Sequence, residues 1–239
     1  KNMLELKNIS YYADNKTILD NISLNFDYGK IVAITGHNGS GKSTLVKIIM
    51  GIINQTQGNI LLDGKNIDKL KINERSKLGI GFTFQQPIKF KGLTVSDLIS
   101  TVAKTDNPVK CGCDYLSKVG LCAKDYLMRE LDSNLSGGEL KRIELAINLA
   151  ENKKVNIFDE PEAGIDIWSF DGLTNIFKDL KKKNCITIIV THQQKILEIA
   201  DEIVVLNNSK LVAAGPKNKV LPTLKNEFCE KLGGEAMYG

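Results

Sequence analysis

A glycine-rich run at residues 36–44 limits what this chain can fold into more than any other segment. It reads Gly36, His37, Asn38, Gly39, Ser40, Gly41, Lys42, Ser43 and Thr44. This order matches the phosphate-binding loop G-x-x-x-x-G-K-[ST], which requires a strand before it and a helix after it. Residues 31–35 are an apolar run typical of a buried strand, and residues 44–50 have a helical composition. The segment therefore predicts an α/β fold built around a strand, a loop and a helix.

The same loop predicts a site for a nucleoside triphosphate, ATP, with Mg²⁺. Its glycines let the backbone bend so that several N–H groups face one anion. The helix that begins near Ser43 adds the positive end of its dipole. Lys42 would place a cation against the terminal phosphates, and the Ser43 hydroxyl would bind Mg²⁺. A glycine-rich surface turn that matches by chance is the less favoured alternative, because the flanking segments are correct.

Composition narrows the class of protein. The chain is 42% hydrophobic and 25% charged, as expected of a globular protein, and its five cysteines are scattered. No apolar run approaches the roughly 20 residues that span a bilayer, and no signal-peptide pattern is present. A formal net charge of +4 without a concentrated basic patch argues against nucleic-acid binding. We therefore expect a cytoplasmic protein without direct membrane insertion, whose cysteines are free thiols.

Periodicity along the chain predicts one domain over residues 1–239. Alternating apolar residues before residue 27 indicate an N-terminal antiparallel β region. Helical spacing replaces strand signals near residue 90, and β-branched strand patterns resume after residue 150. We expect an α/β core of residues 1–86 and 150–239, with a helical subdomain inserted at about 87–149.

Two adjacent acids, Asp159 and Glu160, directly follow an apolar strand at residues 155–158. The carboxyl ends of strands in such sheets border the ligand crevice. Phosphoryl transfer needs a carboxylate for Mg²⁺ and a group that orients or deprotonates water. Asp159 suits the first role and Glu160 the second. Two solvated acids at a strand end would be an equal alternative if the phosphate loop were absent.

A second anion-binding element precedes a long helical pattern. Ser136 is a candidate N-cap, and Gly137 and Gly138 expose N–H groups at the positive end of the helix. Since one chain already has a complete phosphate loop, this element is expected to face the nucleotide of another copy. A two-fold, head-to-tail pair of subunits would achieve that arrangement.

Taken together, these motifs resemble the ATP-binding-cassette (ABC) ATPases over essentially the full length. The resemblance rests on the phosphate loop, on residues 135–139, on the Asp159-Glu160 pair and on Thr191-His192, which occur in the family's order. It implies an ABC cassette: a RecA-like P-loop NTPase core with an N-terminal antiparallel β region and an inserted helical subdomain. It also implies a Mg²⁺-dependent ATPase that is active as a head-to-tail dimer.

The resemblance assigns further residues. Gln85 matches the glutamine that meets Mg²⁺ and senses the γ-phosphate, with Gln86 as the adjacent alternative. Asp166 matches the aspartate at the dimer seam, and His192 the histidine that contacts the γ-phosphate. The family usually stacks adenine on an aromatic residue near position 13, which is alanine here, so Tyr12 is the neighbouring candidate.

The residues after the signature point to a subgroup. Residues 139–144 read Glu-Leu-Lys-Arg-Ile-Glu, a continuation similar to SufC, the ATPase of the SUF iron–sulfur cluster assembly system. That similarity implies a SufB/SufD-like scaffold as partner. The alternative is the nucleotide-binding subunit of a membrane ABC transporter, whose partner is a permease. Both use the same ATP site, so the motifs do not separate them.

Overall fold

The computed structural model describes residues 3–85, 90–105, 107–132, 134–164 and 170–231. The strands of this part are β1 (Met3–Ala13), β2 (Lys16–Asp27), β3 (Ile31–Gly36), β4 (Gln57–Leu62), β5 (Lys65–Asn66), β6 (Ile80–Thr83), β7 (Phe90–Thr94), β8 (Glu130–Leu131), β9 (Val155–Asp159), β10 (Ile186–Val190), β11 (Glu202–Asn207) and β12 (Lys210–Pro216). The helices are α1 (Lys42–Met50), α2 (Ile72–Lys77), α3 (Val95–Ala103), α4 (Pro108–Leu116), α5 (Ala123–Tyr126), α6 (Gly137–Glu151), α7 (Phe170–Lys182), α8 (Gln194–Ile199) and α9 (Lys217–Lys231).

The first sheet is antiparallel, with strand order β2-β1-β4-β5. β1 and β2 form a hairpin whose turn, Asp14 and Asn15, has positive φ at both residues. Such a turn matches the right-handed twist of the flanking strands. This confirms the antiparallel β region predicted before residue 27.

The second sheet has six strands in the order β12-β11-β3-β10-β9-β6. All neighbouring pairs from β11 to β6 are parallel, and β12 is an antiparallel edge strand. Because the strands are parallel, the carboxyl ends of β3, β9 and β10 lie at one edge. That edge carries the phosphate loop, Asp159 and Val190.

Strand β3 lies between two hydrophobic clusters. Val32 and Ile34 pack in the cluster that contains α1 and the antiparallel sheet. Ile31 and Ala33 pack in the cluster that contains α6 and α7. Since both faces of the strand are covered, its sequence is continuously apolar rather than alternating. The α/β core of an ABC cassette is thereby confirmed.

The helical region also contains a short β-ribbon that the sequence did not reveal. β7 pairs with β8 in a separate two-stranded sheet with an irregular register. Strands this short carry little periodic signal, which explains why the spacing of residues 90–150 predicted helices alone. Within the described ranges, no helix has both the length and the apolar character needed to cross a membrane.

Candidate active site

The phosphate loop joins β3 to α1, as its motif predicts. Gly41 is the N-cap of α1, with φ of +96°, and a Cβ there would lie 2.6 Å from the carbonyl oxygen of Ile18. At Gly36 a Cβ would lie 1.8 Å from the carbonyl oxygen of Leu206. Both positions therefore require glycine, because neighbouring backbone occupies the space of a side chain. Strand β11 and the β1–β2 hairpin thus hold the loop from two sides.

Lys42 folds over the loop that precedes it. Its ammonium donates to the carbonyl oxygens of Gly36 and His37, at 2.8 Å each, and the residue is buried. Burial lowers the pKa of Lys42, while the charges of Glu160 and Asp159 oppose that shift. The cation therefore lies between the loop and the two acids that follow β9.

The loop and the end of β9 offer oxygen atoms suited to Mg²⁺. The Ser43 hydroxyl donates to Asp159 Oδ1 at 3.0 Å, and Asp159 is buried. Burial raises the pKa of Asp159, the Ser43 hydrogen bond lowers it, and the charge of Glu160 raises it further. Hydroxyl and carboxylate oxygens are the kind of ligand that Mg²⁺ prefers. The buried Ser40 hydroxyl has no hydrogen-bond partner among the described residues, which fits a loop that expects a polar ligand.

Glu160 lies next to Gln85. The Gln85 amide donates to Glu160 Oε2 at 2.6 Å, although the two residues are far apart in sequence. Glu160 adopts a left-handed backbone with φ of +48°, and its N–H donates to the carbonyl of Val190 at 3.0 Å. Strain of this kind is common where a fold holds a functional side chain. The carboxylate is accordingly held at the junction of β6, β9 and β10.

His192 follows β10 at the same edge. Partial burial and the positive charge of Lys42 lower the pKa of His192, and the charge of Glu160 opposes this. The imidazole therefore lies close enough to Lys42 of the phosphate loop to interact with its charge. The residue before it, Thr191, is buried and donates its hydroxyl to Glu162 Oε1 at 2.5 Å. Glu162 therefore fixes the backbone from which His192 projects.

The signature segment begins α6. The Ser136 hydroxyl accepts from the Glu139 N–H at 3.2 Å, and Glu139 Oε2 accepts from the Ser136 N–H at 2.8 Å. This is the reciprocal capping box of helix N-termini, and it confirms Ser136 as the N-cap. Gly138 lies against Gly164, since a Cβ would come within 2.7 Å of the Gly164 carbonyl oxygen. Gly137 is exposed and has open space around it.

The roles assigned to the site residues remain predictions, those of Tyr12, Asp166 and Gln86 among them. Tyr12 is exposed on β1, where it pairs with Thr17, next to the Ile18 that contacts the phosphate loop. Asp166 and Gln86 lie outside the described residues.

Glu162 and Lys141 belong to the surroundings of this site, and sequence reasoning assigned no role there to either. Glu162 is placed by its hydrogen bond to Thr191, and Lys141 by bonds to the carbonyls of Phe84 and Gln85. Neither contact has a local sequence signal, because each joins segments far apart in the chain. A charged residue at a position of α6 that faces the core was the one available hint for Lys141. Among the described residues, no group of three or more histidine, cysteine or acidic side chains could hold a metal ion by itself.

Comparison with known proteins agrees with this geometry. The family model described as "ABC transporter" matches residues 19–163. An uncharacterised ABC transporter ATP-binding protein of Methanocaldococcus jannaschii is 34% identical over 233 residues, covering 94% of this chain and 93% of the relative. An energy-coupling factor transporter ATP-binding protein of Mycoplasmopsis pulmonis is 36% identical over 229 residues, covering 92% and 84%. A solved dimeric cassette in a post-hydrolysis state with ADP and Pi superposes with a TM-score of 0.80 at 25% identity, covering 90% and 99%.

These relatives carry the names of transporter proteins, and none of them is named SufC. They therefore support the ABC assignment and favour the transporter alternative over the SUF subgroup. The strand–loop–helix site, the capped signature helix and these similarities agree on one conclusion: the chain belongs to the ABC transporter family and is an ATPase that binds ATP with Mg²⁺.

Proposed function

We propose that the chain is the nucleotide-binding subunit of a membrane ABC transporter and converts ATP hydrolysis into movement of a permease. The observation that carries the ATP-hydrolysis part of this proposal is the convergence of groups suited to phosphoryl transfer at one edge of the parallel sheet. Lys42, the Ser43–Asp159 pair and the Gln85–Glu160 pair all lie there. The names of the relatives support the transporter assignment.

In this proposal each group has a separate task. Backbone N–H groups of the loop and the Lys42 ammonium bind the phosphates of ATP, and Lys42 exchanges its loop carbonyls for phosphate oxygens. Ser43, Asp159 and Gln85 would hold Mg²⁺, which neutralises charge on the β- and γ-phosphates when bound. Glu160 orients the attacking water and accepts its proton. His192 stabilises the γ-phosphate as charge moves onto it.

A second copy of the chain would complete the site. Ser136 and Gly137 are exposed at the N-terminus of α6, so their face is available to another molecule. We propose that this segment closes over the ATP of a partner subunit in a head-to-tail dimer, with Asp166 contributing at the seam as the resemblance implies. The dimeric state of a solved relative supports this arrangement. Hydrolysis would then separate the two signature segments from the two nucleotides and move the attached permease.

The role of Glu160 has a direct test. Glu160→Gln keeps the size of the side chain and one oxygen that can accept from Gln85, but it removes the base. We expect ATP affinity within about threefold of wild type and turnover lower by at least about 100-fold. Rapid-quench measurement of hydrolysis, together with nucleotide titration, checks both. A variant that turns over at the wild-type rate would remove Glu160 from its proposed role.

A second candidate function is that of a SUF-type ATPase. It rests on residues 139–144, which are similar to SufC. In that case the partner is a SufB/SufD-like scaffold rather than a permease. Co-purification of the tagged chain from its native host distinguishes the two. A membrane-spanning partner in the detergent-extracted fraction supports the transporter. Recovery of a SufB-like protein without any permease would overturn it.

A further inference from the structure

The signature helix α6 carries a buried ion pair that the ATPase mechanism does not use. Lys141 lies one turn after the signature glycines, and its side chain is 0% exposed. Its ammonium is 3.6 Å from Glu144 Oε2, one turn further along the helix. A fully buried lysine is rare in proteins unless it is paired, so its surroundings need a reason.

Both members of this pair bind the backbone that leads to Gln85. Glu144 Oε1 accepts the N–H of Phe84 at 2.9 Å. The Lys141 ammonium donates to the carbonyl of Phe84 and, at 3.4 Å, to the carbonyl of Gln85. Helix α6 therefore holds the two residues that follow β6 at the Phe84 N–H and at the carbonyls of Phe84 and Gln85.

Stability alone does not account for the pair. The Lys141 side chain is 0% exposed and that of Glu144 only 18%, so both charges have lost most of their hydration. Glu144 Oε2 is also buried and accepts no hydrogen bond from the described residues. Replacing such a pair with apolar residues of similar size is often neutral or stabilising. What apolar residues could not supply is the set of three hydrogen bonds to the Phe84–Gln85 backbone.

We propose that Lys141 and Glu144 are positioning residues that lock the Gln85 backbone to the signature helix, so that the Gln85 amide stays at Glu160. The connection from the signature glycines through Lys141 and Gln85 to Glu160 is short at both ends. The Gln85 amide lies 2.6 Å from Glu160 Oε2, and Lys141 follows Gly138 by three residues. Movement of the signature segment would thus shift Gln85 relative to Glu160. The inference rests on the role of Glu160 given above.

The test removes the pair without leaving a buried charge behind. In Lys141→Met with Glu144→Met neither charge is left unpaired, but the Phe84 N–H and the Phe84 and Gln85 carbonyls lose their partners, so we expect a moderately lower thermal midpoint. The KM for ATP should change less than about twofold, because the phosphate loop is intact, while kcat falls by about tenfold or more as Gln85 loses its position. Each single variant should melt earlier than the double variant.

A double-mutant cycle with Gln85→Ala separates positioning from a general structural role. If the pair acts through Gln85, the double methionine substitution lowers kcat less than about twofold in the Gln85→Ala background. Equal kcat losses in both backgrounds would overturn the proposal, whether or not the thermal midpoint changes. So would a wild-type kcat in the Gln85-containing double variant. Lys141→Arg can still donate to two carbonyls, so its kcat should lie between that of the double methionine variant and that of wild type.

Two controls complete the design. Lys182→Met removes an exposed pair of the same spacing on α7, with Asp179 at 3.1 Å, and should leave kcat and the thermal midpoint unchanged. Glu160→Gln separates the two levels of the argument. If it hydrolyses ATP at the wild-type rate, the assignment of Glu160 fails; if it is inactive while the methionine pair keeps wild-type kcat, only the positioning role fails.

Discussion

At the scale of single residues, Glu139 shows how strongly the signature segment is organised by its own chain. Its carboxylate accepts from the Tyr126 hydroxyl at 2.5 Å and from the Ser136 N–H at 2.8 Å. The Tyr126 hydrogen bond, followed by those of Ser136, lowers the pKa of Glu139 from 4.5 to about 2. Arg129 adds a weaker attraction at 3.8 Å. The ionised form is therefore the one that the folded structure prefers.

This preference predicts a pH-dependent contribution to stability. In the unfolded chain Glu139 takes up its proton near pH 4.5, whereas in the folded chain it does so near pH 2. Wild type should therefore be more stable than Glu139→Gln by about 1 kcal/mol above pH 5, and the difference should vanish as the pH falls toward 2. Urea unfolding from pH 7 to pH 3 measures it, with the exposed Glu198→Gln as charge-matched control. A constant difference across this range would contradict the assignment.

At the scale of elements, the phosphate-loop helix α1 is held at its far end by a buried arginine. Arg75, on α2, is 0% exposed. Its guanidinium donates to the carbonyls of Ile48 and Ile49, at 2.7 and 2.9 Å, and to those of Leu70 and Asp68, at 3.0 Å each. The last carbonyls of a helix lack partners within it, and a cation there also interacts favourably with the dipole. Arg75 thus joins α1 to α2 and to the loop before α2.

Arg75→Met should lower the free energy of unfolding by about 2–4 kcal/mol, because it removes four hydrogen bonds to carbonyls, two of them fully buried. The ATP affinity of the folded variant should stay within about twofold of wild type, since Arg75 is at the end of α1 opposite the phosphate loop. Equilibrium urea unfolding and nucleotide titration measure the two quantities. Lys77→Met, at an exposed position of the same helix, provides the control. A large loss of affinity without loss of stability would show that Arg75 acts on the site instead.

At the scale of the whole molecule, the residues assigned to the proposed site lie on two surfaces. The phosphate loop lies at the carboxyl edge of the parallel sheet, and the signature segment lies on the exposed N-terminus of α6. The proposed dimer brings the signature of one copy to the loop of the other. Because the surface at Gly137 is open, it can be altered without disturbing the subunit's own fold.

Gly137→Glu tests this division of the site. A Cβ at Gly137 meets no atom within 4 Å, so the variant should fold, and its own phosphate loop should bind ATP normally. The new carboxylate would face the γ-phosphate bound to the other subunit, so ATP-dependent dimerisation should be lost. Light scattering in the Glu160→Gln background with MgATP measures the oligomeric state. Gly172→Glu on α7 is the matched control and should still dimerise; an ATP-dependent dimer of Gly137→Glu would exclude the proposed interface.

Much of the site could be predicted from local sequence. The phosphate loop, Asp159 and the N-cap Ser136 are each recognisable from a few adjacent residues, because backbone bending and helix capping depend on neighbours in the chain. The parallel sheet then brings the loop and the residues after β9 and β10 to one edge, as the strand patterns predicted. The short strands β7 and β8 were missed because their pairing depends on contacts across the helical region.

The sequence by itself determined the α/β fold, the ATP site and the family, since these follow from local motifs in a fixed order. It did not separate a transporter subunit from a SUF-type ATPase, because both use the same motifs. Only the tertiary structure decided how the motifs are joined: Gln85 to Glu160, Thr191 to Glu162, and Lys141 with Glu144 to the end of β6. Each of these contacts links residues from different elements, and such pairings are fixed by the packing of the sheet against its helices, which no local pattern encodes.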